Sequence, residues 1–249
     1  MTVCEIKNLR KKFRGGRGVD DISLRIEEGD VFGLLGANGA GKTTTMKVVT
    51  GLMRKDAGEV SLFGEALETS FERVMRRVGA LIETPAFYGY MSAKANLMTA
   101  AAYYGKPDPA ACDGLLHLVR LYEYRNDKAG RFSLGMKQRL GLALAFVGDP
   151  AFCVLDEPSN GLDIEGIIEI RNIILGMSRE RRVTFLVSSH QSAEIQKLCN
   201  KVAVIHEGRV DGAATTRWVL ENFPSMEDYY LYCVRGGQPV AYNDGVGAY

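Results

Sequence analysis

The chain has 249 residues, and its 31 Lys and Arg against 30 Asp and Glu leave a formal net charge of +1. Hydrophobic residues make up 46% and charged residues 24%, the balance of an ordinary globular protein. That balance excludes a disordered or low-complexity chain and supplies no electrostatic footprint for nucleic acid as a partner.

The N-terminal stretch "MTVCEIKNLRKKF" lacks the apolar core segment of a signal peptide. No run approaches the roughly 18–20 apolar residues of a membrane span, so work at a membrane would need spanning helices from another chain. The five cysteines, Cys4, Cys112, Cys153, Cys199 and Cys233, form no C-x-x-C pair and read as reduced, buried thiols of a cytosolic protein. The histidines do not stand at ligand spacing from them, and no zinc site is expected.

In chain order, "TVCEIKNLRKKF" and "VDDISLRIEEGD" alternate apolar and polar residues and predict an antiparallel layer with one wet face. "VFGLLG" is a short continuous apolar run, suited to a buried parallel strand, and leads through glycines into a helix ending near Gly51. "GEVSLFGEAL" is a further strand and turn. From about Glu83 to Pro150 the pattern becomes helical, in "SAKANLMTAAAYYG", "ACDGLLHLVRLYEY" and "GMKQRLGLALAFVGD". The α/β pattern then resumes with the strands "AFCVLDEP" and "VTFLVSSH", separated by the amphipathic "IEGIIEIRNIILGMS". "KVAVIHEGRVDG" reads as two strands around a turn, "SMEDYYLYCV" as a last helix, and "RGGQPVAYNDGVGAY" as a loose tail. The predicted fold is α/β, with an antiparallel β subdomain and an inserted all-helical subdomain over about 84–150.

"GANGAGKT", Gly36 to Thr43, fits G-x-x-x-x-G-K-[ST] after a buried strand and before a helix. The glycines let successive backbone N–H groups point at a phosphate. Lys42 reaches the β/γ oxygens and Thr43 offers a hydroxyl to Mg²⁺; Asn38, Gly39, Gly41 and Thr44 complete the candidate nucleotide contacts. "AFCVLDEP" places Asp156 at a strand end, near the metal, with Glu157 next to it to orient an attacking water. His190 closes a third apolar strand, on the edge where ligands bind in open α/β sheets. His117, inside a helical stretch, and His206, in a hairpin turn, receive no role.

A second helix start, "RFSLGMKQRLGLALA", opens with Ser133 and Gly135 and so offers another anion site about ninety residues after the first. Taken with "FCVLDE", "NGLD" and "SSH" in that order, these segments resemble the nucleotide-binding subunits of ATP-binding cassette (ABC) transporters over roughly residues 1–215. The resemblance implies a RecA-like P-loop NTPase core whose helical insert carries the signature "SLGMK". Residues 216–249 fall outside it, as a short C-terminal helix and tail.

What the resemblance implies is an ATP- and Mg²⁺-dependent ATPase, peripheral on the cytoplasmic face of the membrane and docked to separate transmembrane permease chains. Two such subunits pair head to tail, as a homodimer or as a heterodimer with a second ATPase chain. The signature of one, Ser133 and the N–H groups around Gly135, closes over the γ-phosphate held by the other. In the same way His190 takes a γ-phosphate role, Phe13 stacks on adenine, and Asp163 signals across the dimer. Phe87, Tyr88 and Tyr90 are either core aromatics of the insert or part of the permease contact.

Two departures from the family pattern stand out. Leu134 replaces the first glycine of the signature. Glu83, in "LIETPAFYGYM", occupies the joint where most members carry a glutamine that touches Mg²⁺ or water. It either adds a negative charge to the metal site or stands in, protonated, for the amide. Glu83 with its following aromatic residues, and "FSLGMKQRLGLA", resemble the bacitracin-transport and lantibiotic-immunity branch, which implies export of a peptide antibiotic, another drug or a lipid. The alternative is a soluble ABC ATPase acting on nucleic acid or the ribosome; such relatives carry two cassettes or a long coiled coil, and this chain shows neither.

Overall fold

In β1 (Thr2–Lys12) and β2 (Gly18–Glu27), buried apolar residues alternate at Cys4 and Ile6 and at Ile22, Leu24 and Ile26, and shifts of register near Thr2 and between Ile6 and Arg10 interrupt the alternation in this antiparallel pair. The computed structural model describes residues 1–105 and 107–237. Next come β3 (Val31–Leu35), buried at every position, and α1 (Lys42–Val49). They are followed by β4 (Ala57–Leu62), β5 (Glu65–Ala66), α2 (Leu67–Met75) and β6 (Val78–Leu81). The helical insert holds α3 (Ala93–Ala102), α4 (Pro109–Leu118) and α5 (Leu134–Ala145). The remaining elements are β7 (Phe152–Asp156), α6 (Ile164–Arg181), β8 (Thr184–Ser189), α7 (Ser192–Leu198), β9 (Lys201–His206), β10 (Arg209–Thr215), α8 (Thr216–Asn222) and α9 (Met226–Val234).

The strands form two sheets. One is antiparallel, in the order β2-β1-β4-β5; the other has six strands in the order β10-β9-β3-β8-β7-β6. Neighbours from β9 to β6 run parallel, and β10 closes one edge antiparallel to β9. Side chains alternate across the six-stranded sheet. Leu35, Leu155 and Phe185 face a core shared with the helical insert, whereas Leu34, Val154 and Leu186 face a second core shared with α1 and the antiparallel sheet. A central sheet buried on both faces explains why β3, β7 and β8 read as continuous apolar runs.

The helical insert is welded to the sheet where β6 meets α5. A Cβ at Gly79 would collide with the carbonyl of Ala145, so helix and strand approach at a distance only glycine allows. Leu140 and Leu142 of α5 are fully buried, and Leu144 packs on the same core. The strand β6 and the helices α2, α7 and α8 have no counterpart in the sequence expectations. "VGAL" is a four-residue strand with no flanking turn signal of its own, and β6 is recognisable only by its pairing with β7.

The last helix docks firmly. Tyr229 of α9 is fully buried and meets Trp218 and Phe223 edge to face, with centroids 6.3 and 5.2 Å away. The Met226 N–H donates to Gln196 Oε1 of α7 at 3.4 Å. The expected tail lies outside the described residues from position 238 onward. All five cysteines are free and buried. Among the described residues, no helix is long and apolar enough to cross a membrane.

Candidate functional site

Three parallel strands end side by side. Register pairs Leu35 of β3 with Ser189 of β8, and Asp156 of β7 with Ser188 of β8. The loop after β3, the acidic end of β7 and the turn after β8 therefore converge at one sheet edge, the place where open α/β sheets bind ligands. The loop of residues 36–41 connects β3 to α1. A Cβ at Gly36 would strike the Ile205 carbonyl, and Gly41 caps α1 with φ 114°, a conformation that side chains rarely adopt.

α1 has no side-chain cap, and no acidic residue lies in its first turn. By contrast Ser92, Asp108, Asp163, Thr215 and Ser225 cap their own helices through side-chain oxygens, and α2 and α7, also without a side-chain cap, carry Glu68 and Glu194 in their first turns. An uncapped N-terminus with positive dipole suits an external anion. Lys42 is 5% exposed, and its ammonium donates to the carbonyls of Gly36 (2.7 Å) and Ala37 (3.2 Å). Thr44 lies in the same first turn. Asn38 and Gly39 line an open cleft of about 720 Å³ with Lys12, Arg17, Asp20 and Arg209. Phe13 stands in the turn between Lys12 and Arg17, its N–H bonded to the Arg17 carbonyl at 2.8 Å and its side chain exposed. The hydrogen bond from Arg209 holds the Asp20 carboxyl below its ordinary range.

Asp156 is 3% exposed, and both its oxygens are engaged: Oδ2 accepts from Thr43 Oγ at 2.8 Å and Oδ1 from Ser188 Oγ at 2.6 Å. Ser188 also accepts the Glu157 N–H at 2.9 Å. That bond holds Glu157 at φ 48°, a left-handed conformation that costs free energy in a residue with a side chain. The Glu157 carboxylate is thereby turned between Lys42 Nζ (3.3 Å from Oε1) and His190 Nδ1 (2.6 Å from Oε2). The turn carrying His190 is closed by the Gln191 N–H, which donates to Ser189 Oγ at 2.9 Å.

Lys42, Thr43, Asp156, Glu157 and His190 thus come together from three separate segments. Glu83 is oriented differently. It sits two residues past β6 at φ 60°, and its carboxylate pairs with Lys47 at 2.7 Å, one helical turn along α1 from Thr43. Ser133 and Gly135 line another cleft, with Leu134, Arg139, Leu162 and Asp163, and this cleft shares no lining residue with the one beside Gly39. Ser133 caps α5 by accepting the Met136 N–H at 3.3 Å, and a hydroxyl that accepts still has a proton to donate. Asp163 caps α6 by accepting the Gly166 N–H at 2.9 Å.

Two contributors escaped the sequence reading. Ser188 joins Asp156 to the Glu157 backbone, yet a serine at a strand end carries no signal by itself. Lys47 was legible in principle, because it lies four residues after Thr43 and so on the same helix face.

An oxygen-only pair of Thr43 hydroxyl and Asp156 carboxylate fits Mg²⁺, a hard cation that takes few protein ligands and completes its shell with phosphate and water. Among the described residues no cluster of three or more His, Cys, Asp or Glu could hold a metal.

Comparison with known proteins gives a consistent result. The bacitracin transport ATP-binding protein BcrA of Bacillus licheniformis is 39% identical over 209 residues, covering 84% of this chain and 68% of that protein. The lantibiotic transport ATP-binding protein SrtF of Streptococcus pyogenes is 37% identical over 208 residues, covering 84% and 89%. A solved ATP-binding subunit of an ABC transporter superposes with TM-score 0.82 at 28% identity, covering 93% of this chain and 99% of that one. The ABC transporter family profile matches residues 19–160, and the chain belongs to that family as an ATP-binding protein with the P-loop NTPase fold.

Proposed function

We propose that this chain hydrolyses ATP to drive export through separate transmembrane permease chains, with a peptide antibiotic as cargo. The observation that carries the hydrolytic part is the placement of Glu157. Its carboxylate is held between the P-loop lysine and His190, next to the Thr43–Asp156 pair. Lys42 and the uncapped N–H groups of α1 hold the phosphates. Thr43 and Asp156 would hold Mg²⁺, which would supply positive charge to offset that of the phosphates. Glu157 orients the attacking water and takes its proton, and His190 positions the Glu157 carboxylate.

The separation of the two clefts supports a head-to-tail pair. Ser133 and Gly135 share no lining residue with the cleft beside Gly39, so the hydroxyl and helix N-terminus at Ser133 serve the nucleotide of a second ATPase chain. Two nucleotides are then buried in the pair, ATP holding it closed and hydrolysis releasing it.

The permease contact falls on the insert beside Glu83. Tyr88 and Tyr90 are exposed and pack ring to ring at 5.8 Å. Phe87, Tyr88, Tyr103 and Tyr104 line a groove with Leu144, an aromatic surface suited to an amphipathic helix of another chain. The cargo class rests on the likeness to BcrA and SrtF.

Expression of the chain with a co-encoded permease in a sensitive bacterium tests this reading. Tolerance to bacitracin or a lantibiotic should rise, and the rise should vanish with Glu157→Gln. An active ATPase that protects against neither compound removes the cargo assignment. Failure to co-purify with any membrane protein removes the transport assignment.

A further inference from the structure

A carboxylate at Glu83 poses an electrostatic problem if the nearby Thr43–Asp156 pair holds Mg²⁺. An extra unit of negative charge there would tighten the metal and oppose its release with product. The fold answers this with a second charged residue. Lys47 projects from α1 one turn beyond Thr43 and meets Glu83 Oε1 at 2.7 Å. Residues four apart on a helix share a face, so the ammonium lies on the same side of α1 as the Thr43 side chain.

Stability does not account for the pair. The Glu83 side chain is 59% exposed, and ion pairs so open to water contribute little to folding. Glu83 also holds a left-handed backbone at φ 60°, which is unfavourable for a residue with a side chain. The local arrangement thus accepts strain to hold one carboxylate on one ammonium, at the joint between the nucleotide core and the helical insert.

We propose that Lys47 is a positioning residue for the metal site: it neutralises Glu83, so that the pair presents the zero net charge of a neutral amide there. The carboxylate is held beside α1 by the Lys47 ammonium, 2.7 Å from its Oε1. This rests on the reading of the P-loop as an ATP and Mg²⁺ site.

The test is the metal dependence of nucleotide binding, measured by calorimetry on the full chain with a non-hydrolysable ATP analogue. The quantity read is the ratio of Kd in EDTA to Kd in Mg²⁺. Lys47→Met leaves an uncompensated carboxylate, and the ratio should rise about threefold or more, the scale of one unit charge acting on a divalent ion across a water-like gap. Glu83→Gln leaves an uncompensated ammonium, and the ratio should fall by a similar factor. The double variant is neutral again and should return to the wild-type ratio, as should Lys47→Arg.

A merely structural role for Lys47 would not give opposite signs in the two single variants. Equal ratios throughout, or shifts in the same direction, overturn the proposal. If Lys47→Met fails to fold by circular dichroism, Lys47→Gln takes its place, with the same rise in the ratio expected and an unchanged or lowered ratio overturning the proposal. Absence of nucleotide binding in the wild-type chain would instead overturn the ATP-site reading beneath it.

Discussion

The carboxylate of Glu157 meets the imidazole Nδ1 of His190 at 2.6 Å, with its second oxygen 3.3 Å from the buried ammonium of Lys42. Each oxygen therefore has its own partner, and the orientation of the carboxylate is set from two sides. Glu157→Gln keeps the shape and removes the base. Nucleotide affinity should stay within about threefold of wild type, while turnover falls by the roughly 10²–10⁴ attributable to general base catalysis. Size-exclusion chromatography in Mg-ATP should then show an accumulated dimer, with itself or with its partner ATPase chain. A species that stays monomeric under all conditions, even with the partner supplied, counts against the head-to-tail pair.

Lys42→Ala removes the only side-chain ammonium bonded to the loop carbonyls of Gly36 and Ala37 among the described residues. A hydrogen bond to a charged group contributes about 1.5–3 kcal/mol, so ATP affinity should fall by roughly 10- to 100-fold. Calorimetric titration with ATP reads this directly. Unchanged affinity would remove the phosphate site from this loop.

Ser133→Arg places bulk and charge on a different cleft. ATP binding to the isolated subunit should survive, and hydrolysis should drop by orders of magnitude. Loss of the N-cap itself costs about 1 kcal/mol, so a small fall in Tm is expected as well. Equal losses of binding and hydrolysis would mean that the signature serves the nucleotide of its own chain.

The cysteines give a chemical check on the core. Burial pushes the thiols of Cys153 and Cys199 upward, and burial with the neighbouring Glu5 pushes Cys4 up to about 12. Thiolate is the reactive form, so the native chain at pH 8 should resist iodoacetamide. Mass spectrometry should find these three unmodified in the native protein and alkylated in guanidinium. Rapid native labelling at any of them would contradict the packing around β1, β7 or α7.

Much of the fold was legible because its signals are local. The P-loop, the apolar runs of β3, β7 and β8, and the cap at Ser133 each lie within a few consecutive residues. Their order along the chain pointed to the family and to an insert of helices. Elements without a local signal were not legible. β6 is recognisable only through its pairing with β7, and α8, seven residues with a Thr215 cap, offers too short a periodic run to read.

The site divides in the same way. Residue types and spacing pointed to Lys42 and Thr43 as members of a phosphate loop and placed Asp156 at the end of a strand with Glu157 just after it. Tertiary structure alone decided that β8 lies between β3 and β7, which delivers Ser188 to Asp156 and His190 to Glu157. It also decided that Glu83 rests on Lys47. Covalent neighbours are written in the chain, whereas charge partners 36 positions apart are brought together only when a sheet and a helix pack.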